Sequence, residues 1–295
     1  MEISRRESED LNQQPEEQLK EFFITRHSKK PKDEDLESKR YPGVSEKGVE
    51  LSEERAKELA EMVEKSESGS VIFISGGTDL VRTKSTAEAY GDKLADIMEG
   101  REDVIVMTRS GIQEGAKGKG YSKAVSEIAS EIKANPDKKI VVDFPLFLKE
   151  LSPVAGGFYD KNSKLTPWAE GFIKSNKGDE YAAFREWLRT KENAGDVKNS
   201  NSEDMAKKYK IALERLHEFA KDKIGDRPLV VGAIGHSWYI DAFLTYMVEG
   251  KVDLESFDKV AGGGLIGETE MAQITIKGEE AKVNYRGKEF VVDKK

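Results

Sequence analysis

An α/β fold with a mostly parallel central sheet follows from two features of the chain. Short, continuously apolar runs alternate with amphipathic stretches of helical period, and several runs lead directly into charged, polar or glycine residues. Continuous apolar runs rich in branched and aromatic residues suit strands buried on both faces, and their alternation with helices is the pattern of βαβ crossovers. The expected architecture is a three-layer α/β/α sandwich carrying an inserted cap.

In chain order, residues 1–20 mix Glu, Gln and Arg without apolar periodicity and are expected to form a polar tail. Phe22-Phe23-Ile24-Thr25 is the first strand. A helix over 52–65 follows, with Ala56, Leu59, Ala60 and Val63 at spacings of three and four behind Ser52 as N-cap. Val71-Ile72-Phe73-Ile74 and Val104-Ile105-Val106-Met107 are strands, each leading into a helix, over 79–98 and 121–134. Residues 140–200 break the rhythm and are the expected insertion: Val141-Val142-Asp143-Phe144-Pro145, a Gly/Tyr/Asn-rich stretch, and a short helix over 181–188 with Phe184 and Trp187 on one face. The α/β core, residues 21–139 and 201–295, resumes with a helix over 202–223, whose stripe of Leu213, Leu216 and Phe219 makes His217 a core residue. Leu229 to Ile234 is a strand, 238–249 a helix, and 271–276 with 282–285 a hairpin followed by a last strand at 289–292.

Composition excludes several chemistries. The 295 residues include no cysteine and three histidines, and the net charge is −8. Without cysteine there is no disulfide, thiolate nucleophile, zinc ribbon or iron–sulfur cluster, and so few histidines make a metal site or other cofactor unexpected. No long apolar segment and no basic-then-apolar start occur, so neither membrane association nor secretion is expected, and a cytoplasmic location is. Net acidity with interspersed lysine argues against nucleic acid as the main partner while allowing a local basic pocket.

In a parallel sheet, ligands bind where the C-terminal ends of the strands feed into loops. After the first strand comes Arg26-His27-Ser28; after the second, Ser75-Gly76-Gly77-Thr78-Asp79-Leu80-Val81-Arg82; after the third, Arg109-Ser110-Gly111-Ile112-Gln113-Glu114; after the strand at 229, Gly235-His236-Ser237. Arg26-His27-Ser28, Ser45-Glu46-Lys47-Gly48, the stretch from Asp79 through Arg82 to Thr86-Ala87, Ile112-Gln113-Glu114 and Gly235-His236 fall in the order of the motifs of the histidine phosphatase superfamily. Over roughly residues 21–135 and 203–277 the chain resembles those phosphoglycerate-mutase-like proteins.

The resemblance implies phosphomonoester hydrolysis without a metal. His27 would attack phosphorus to give a phosphohistidine, and Arg26, Arg82, His236 and Ser28 would hold the phosphate. Planar, permanently charged guanidinium groups suit the equatorial oxygens of a transferring phosphoryl group. Glu114 is the expected proton donor, with Glu170, Asp160 and Asp143 as rivals. A phosphorylated small molecule is the expected substrate. A phosphomutase, and a phosphate-binding or interaction module with weak chemistry, are the alternatives. Asp33 stands where phosphoglycerate mutases carry asparagine, so the chain does not resemble a glycolytic mutase. Two imitations fail on residues. Gly235-His236-Ser237-Trp238-Tyr239 lacks the second glycine of a hydrolase nucleophile elbow, and no histidine follows it; Gly115 to Ser122 carries Tyr121 where a phosphate loop needs lysine.

Overall fold

The computed structural model describes residues 19–32, 34–78, 80–115, 120–147, 156–160, 164–190, 193, 197 and 200–293. Nearly all of the expected tail, together with Asp33, Asp79, part of the glycine-rich stretch after Glu114 and parts of the insertion, lies outside them. The described chain runs β1 (Lys20–Arg26), α1 (Glu46–Lys65), β2 (Val71–Gly77), α2 (Val81–Ile97), β3 (Val104–Met107), α3 (Arg109–Gly115), α4 (Gly120–Ala134), β4 (Lys139–Phe147), α5 (Pro167–Ser175), α6 (Glu180–Arg189), α7 (Ser202–Ile224), β5 (Leu229–Gly235), α8 (Ser237–Glu249), α9 (Leu254–Ala261), β6 (Met271–Lys277), β7 (Glu280–Tyr285) and β8 (Lys288–Asp293).

The eight strands form one sheet in the order β3-β4-β2-β5-β1-β6-β7-β8. It is mixed rather than mostly parallel. The five strands from β3 to β1 pair in parallel, and β6, β7 and β8 add antiparallel neighbours beyond β1. The tight turns from β6 to β7 and from β7 to β8 force those two pairs to be antiparallel, since a parallel partner needs a long crossover, whereas β6 reaches the edge of β1 after the α8–α9 connection.

Alternate residues of the parallel strands serve two cores. Phe22, Ile24, Phe73, Val142 and Val231 join a cluster with α7 and α8, while Phe23, Ile72, Ile74, Val141 and Ile234 join another with α1 and α2. This two-sided burial is why the strands read as unbroken apolar runs.

β4 corrects the sequence reading. Its residues fall where the insertion was expected to open, yet the strand lies between β3 and β2, paired to both. Pro145 argues against an interior strand. The conflict dissolves because β3 pairs only as far as Val142, so Pro145 lies beyond that partner, in a stretch where the register with β2 also shifts. Helix α1 starts earlier than the apolar spacing predicts, at the Ser45-Glu46-Lys47-Gly48 motif: Ser45, not Ser52, is its N-cap, accepting from the Gly48 N–H at 3.1 Å. Gly48 allows α1 to approach the chain after β1, since a Cβ there would stand 2.5 Å from the Lys29 carbonyl oxygen. No helix among the described residues is long and apolar enough to cross a membrane.

Candidate active site

Strand register brings the two motif histidines together. Arg26 pairs with Gly235 at the ends of neighbouring β1 and β5, and the His27 N–H donates to the Gly235 carbonyl at 2.9 Å. His27 and His236 therefore leave the sheet side by side, with ring centroids 5.0 Å apart in an edge-on arrangement. β2 flanks β5 on the other side, so the loop it feeds delivers Thr78 and Arg82 to the same place.

Arg82, on the first turn of α2, ties the rings together. Its Nε donates to His27 Nε2 at 3.1 Å, and its Nη2 lies 3.4 Å from His236 Nδ1. A guanidinium can only donate, so both ring atoms are acceptors and each proton sits on the opposite nitrogen. Two further contacts agree with that assignment. His27 Nδ1 donates to the Ser28 carbonyl at 2.7 Å, and His236 Nε2 donates to Thr78 Oγ1 at 3.2 Å. Both rings are thereby held as single neutral tautomers, with the lone pair of His27 Nε2 directed at Arg82. Burial, then the Arg82 guanidinium, hold both imidazoles well below their ordinary range, so they are neutral at physiological pH.

Arg26 is fixed from the C-terminal side of the chain. Its Nη1 donates to the Ile266 carbonyl at 2.9 Å, its Nη2 lies 3.9 Å from Glu180 Oε2, and its buried Nε has no hydrogen-bond partner among the described residues. The Ile266 loop is held in turn by Asp241, whose two carboxylate oxygens each accept the Ile266 N–H at 3.1 Å. Burial pushes the Asp241 carboxyl up to about 8. Arg286 braces the same loop through the Gly264 and Leu265 carbonyls.

These groups line a cleft of about 350 Å³. Arg26, His27, Arg82 and His236 form its basic end; Lys29, Lys30 and Lys32 reach it from the segment after β1. Residues between β4 and α6 and the start of α8 complete the wall, including Phe158, Tyr159 and Trp238.

The remaining expected site residues do not reach it. Ser28 is fully buried: its Oγ donates to the Gly48 carbonyl at 2.5 Å and its N–H to Thr86 Oγ1 at 3.0 Å. It secures the loop instead of facing a phosphate. Glu114 is exposed on α3 and is not among the residues lining the cleft. The reason is strand order, because β3 is the edge strand, four places from β1, or roughly 19 Å at the usual spacing. Asp143 is buried against Arg109 at 2.9 Å, and burial pushes its carboxyl up to about 6 despite that partner. Glu170 pairs with Lys174 and Asp160 accepts from the Lys164 N–H; neither lines the cleft. The carboxylates that do are Glu180, opening α6, and Glu268. Glu180 also lies 3.4 Å from Ser237 Oγ.

Sequence reasoning missed Glu180, Thr78 and Glu268. Thr78 had a signal, its position in the run after the second strand leading to Arg82. Glu180 had only the helix start behind Asp179, whose side chain caps α6 at the Ala182 N–H.

No family model matches the chain, and no curated protein does. Among solved structures, a mycobacterial glucosyl-3-phosphoglycerate phosphatase is similar at 13% identity and TM-score 0.42, over 88% of this chain and 91% of that one. The same phosphatase in complex with inorganic phosphate is similar at 14% identity and TM-score 0.40, over 86% and 89%. The product of an open reading frame of Mycobacterium tuberculosis is similar at 11% identity and TM-score 0.40, over 90% and 95%. Likeness this distant assigns no chemistry.

Proposed function

We propose that the protein is a phosphatase of the histidine phosphatase type, hydrolysing phosphomonoesters through a phosphohistidine on His27 within a three-layer α/β/α core. The observation that carries this reading is the bridging of His27 and His236 by Arg82 at the basic end of the cleft, with His27 held neutral by burial and then by Arg82, and its Nε2 lone pair accepting from the same guanidinium. The helix-bearing clusters on both faces of the sheet support the three-layer description. The motif order supports the family, and the region between β4 and α7 serves as the cap.

A phosphate entering the basic end takes up the donors of Arg26 and Arg82, releasing Nε2 of His27 from the Arg82 N–H. Nε2 then attacks phosphorus as the bond to the ester oxygen breaks, and charge on the equatorial oxygens is held by the two guanidinium groups and by His236, whose Nδ1, once Arg82 turns to the phosphate, takes up a proton from solvent beside the phosphate's negative charge and donates it as a hydrogen bond. The departing oxygen takes a proton from Glu180, the cleft carboxylate nearest Arg26. Water next attacks the phosphohistidine and gives its proton to Glu180, which restores the acid as inorganic phosphate forms. Hydrolysis, rather than return of the phosphoryl group to an isomeric substrate, suits a cleft with room for water beside the phosphate.

The test is chemical trapping. Incubated with a labelled aryl phosphate in EDTA and quenched, the protein is expected to yield an acid-labile, base-stable phosphoenzyme that is absent from His27→Ala. Turnover that survives His27→Ala, or that disappears with EDTA, rejects the mechanism.

A further inference from the structure

The cleft is chemically two-sided, and its second side says what kind of alcohol the phosphate is attached to. Resting on the phosphatase reading above, we infer that the substrate is a phosphomonoester of an apolar, ring-bearing or branched alcohol, bound against the insertion, and not a sugar phosphate. Tyr159, Leu165 and Ile173 line the cleft while remaining only partly buried, so packing has left apolar surface on each of them facing a cavity. Beneath them, fully packed Phe158 holds edge-on contacts with Trp187, Trp238 and Tyr239 at 5.3 Å. The wall is therefore preorganised, which lowers the ordering cost of binding against it.

Its outer layer is equally fixed. Tyr159 pairs with Leu165 through an antiparallel bridge, the Thr166 N–H donates to the Phe158 carbonyl at 2.9 Å, and Thr166 caps α5, which carries Ile173. Tyr159 accepts from Arg82 Nη2 at 3.3 Å and lies beneath the same guanidinium, so the apolar wall begins where the phosphate cradle ends.

The polar inventory points the same way. A polyhydroxylated leaving group needs fans of donors and acceptors, and a site built to hydrogen-bond hydroxyls is what rejects apolar analogues. No asparagine or glutamine is among the described residues lining the cleft. Of its hydroxyl and carboxylate groups, Ser237 and Glu180 lie beside Arg26 and the Tyr159 phenol lies on Arg82, while the Tyr239 phenol oxygen is buried beside Gly156 and is not presented to the cleft. Glu268 acts electrostatically on Lys29, at the basic rim. About 350 Å³ is near the small end of ligand pockets, enough for a phosphate with one ring or a short branched chain.

Phosphates of primary alcohols test this without the bias of a good leaving group. kcat/KM for 2-phenylethyl phosphate is expected to exceed that for glucose 6-phosphate by about 30-fold or more, and Leu165→Gln/Ile173→Gln is expected to cut that ratio about 10-fold, the scale of a hydrophobic pocket contact. A binding arm needs no chemistry: by calorimetry, 2-phenylethylphosphonate is expected to bind at least about 10-fold tighter than inorganic phosphate, with the advantage lost in the double variant. Near-equal turnover of the two esters, or a preference for glucose 6-phosphate, with His27-dependent activity intact, overturns the inference and leaves the phosphatase reading standing. Phosphonate selectivity without His27-dependent turnover upholds the apolar subsite and rejects the phosphatase reading. Binding no tighter than that of inorganic phosphate overturns the inference whatever the turnover. A ratio that the double variant leaves unchanged removes the insertion as its cause.

Discussion

His27 and His236 stand at the C-terminal ends of neighbouring strands, whereas His217 stands on α7 beside the other end of the sheet, its ring 5.5 Å from Phe22 and sharing a second cavity with Leu229 and Val230. All three are buried, and burial is the first cause of depressed basicity in each, reaching about 4 for His217. What separates them is the company they keep. The first two share a guanidinium that defines their tautomers; His217 Nε2 has no hydrogen-bond partner among the described residues. A perturbed imidazole thus marks burial, and only convergent donors mark a site.

Exchanging residues at the two ends is the strongest way to break the contrast. His27→Ala is expected to lower kcat on an aryl phosphate by about 10⁴-fold, whereas His217→Leu is expected to change it less than about twofold, read as steady-state turnover of folded variants. Comparable losses at both positions end the distinction. Arg82→Lys comes next: an ammonium cannot address two rings and a phosphate at once, and a loss of about 10²- to 10³-fold in kcat is expected. Retention of more than half the activity shows that charge alone, without the fork, suffices.

Leaving-group dependence sharpens the role of Glu180. Glu180→Gln is expected to lower kcat on an alkyl phosphate about 10²-fold and on p-nitrophenyl phosphate less than about 10-fold, because a good leaving group needs little protonation. Equal losses on the two substrates remove the carboxyl as proton donor. The double variant Lys30→Glu/Lys32→Glu is expected to cost about 3- to 10-fold in kcat/KM at low ionic strength and little at high salt, as steering by exposed charges is screened. A loss that persists in salt indicates direct contact instead.

The smallest effect belongs to His217 and concerns stability. Its native pKa of about 4 lies below the ordinary imidazole value of 6.5, so the unfolded chain binds the proton first as pH falls. Its contribution is complete above 6.5 and declines between 6.5 and about 4. Urea midpoints measured across that window are expected to slope less steeply in His217→Leu than in the wild type, and identical slopes show that this ring is not held neutral by the fold.

Much of the site was legible because its residues follow strands directly. Arg26-His27, Arg82 and Gly235-His236 sit within a few residues of apolar runs, and a strand end commits its next side chains to the sheet edge. Glu114 had the same credential and failed, since adjacency in sequence says nothing about which strands are neighbours. β4 was partly hidden by Pro145, which argues against pairing everywhere except beyond a partner's last residue.

The residue pattern by itself determined most of the strands and longer helices, the place of His217 in the core, the position of His27 and His236 directly after strands, and the identity of the cationic groups, because apolar periodicity and motif spacing are local properties. The strand order, the antiparallel meander, the carboxylates that line the cleft and its apolar wall between β4 and α6 were decided by tertiary structure. Each depends on which distant segments pack together: β1 beside β5, β3 at the edge, α6 folded back so that Glu180 meets Arg26. Side-chain chemistry can be read one residue at a time, whereas a site needs distances, and distances between segments exist only once the sheet has closed around its two cores.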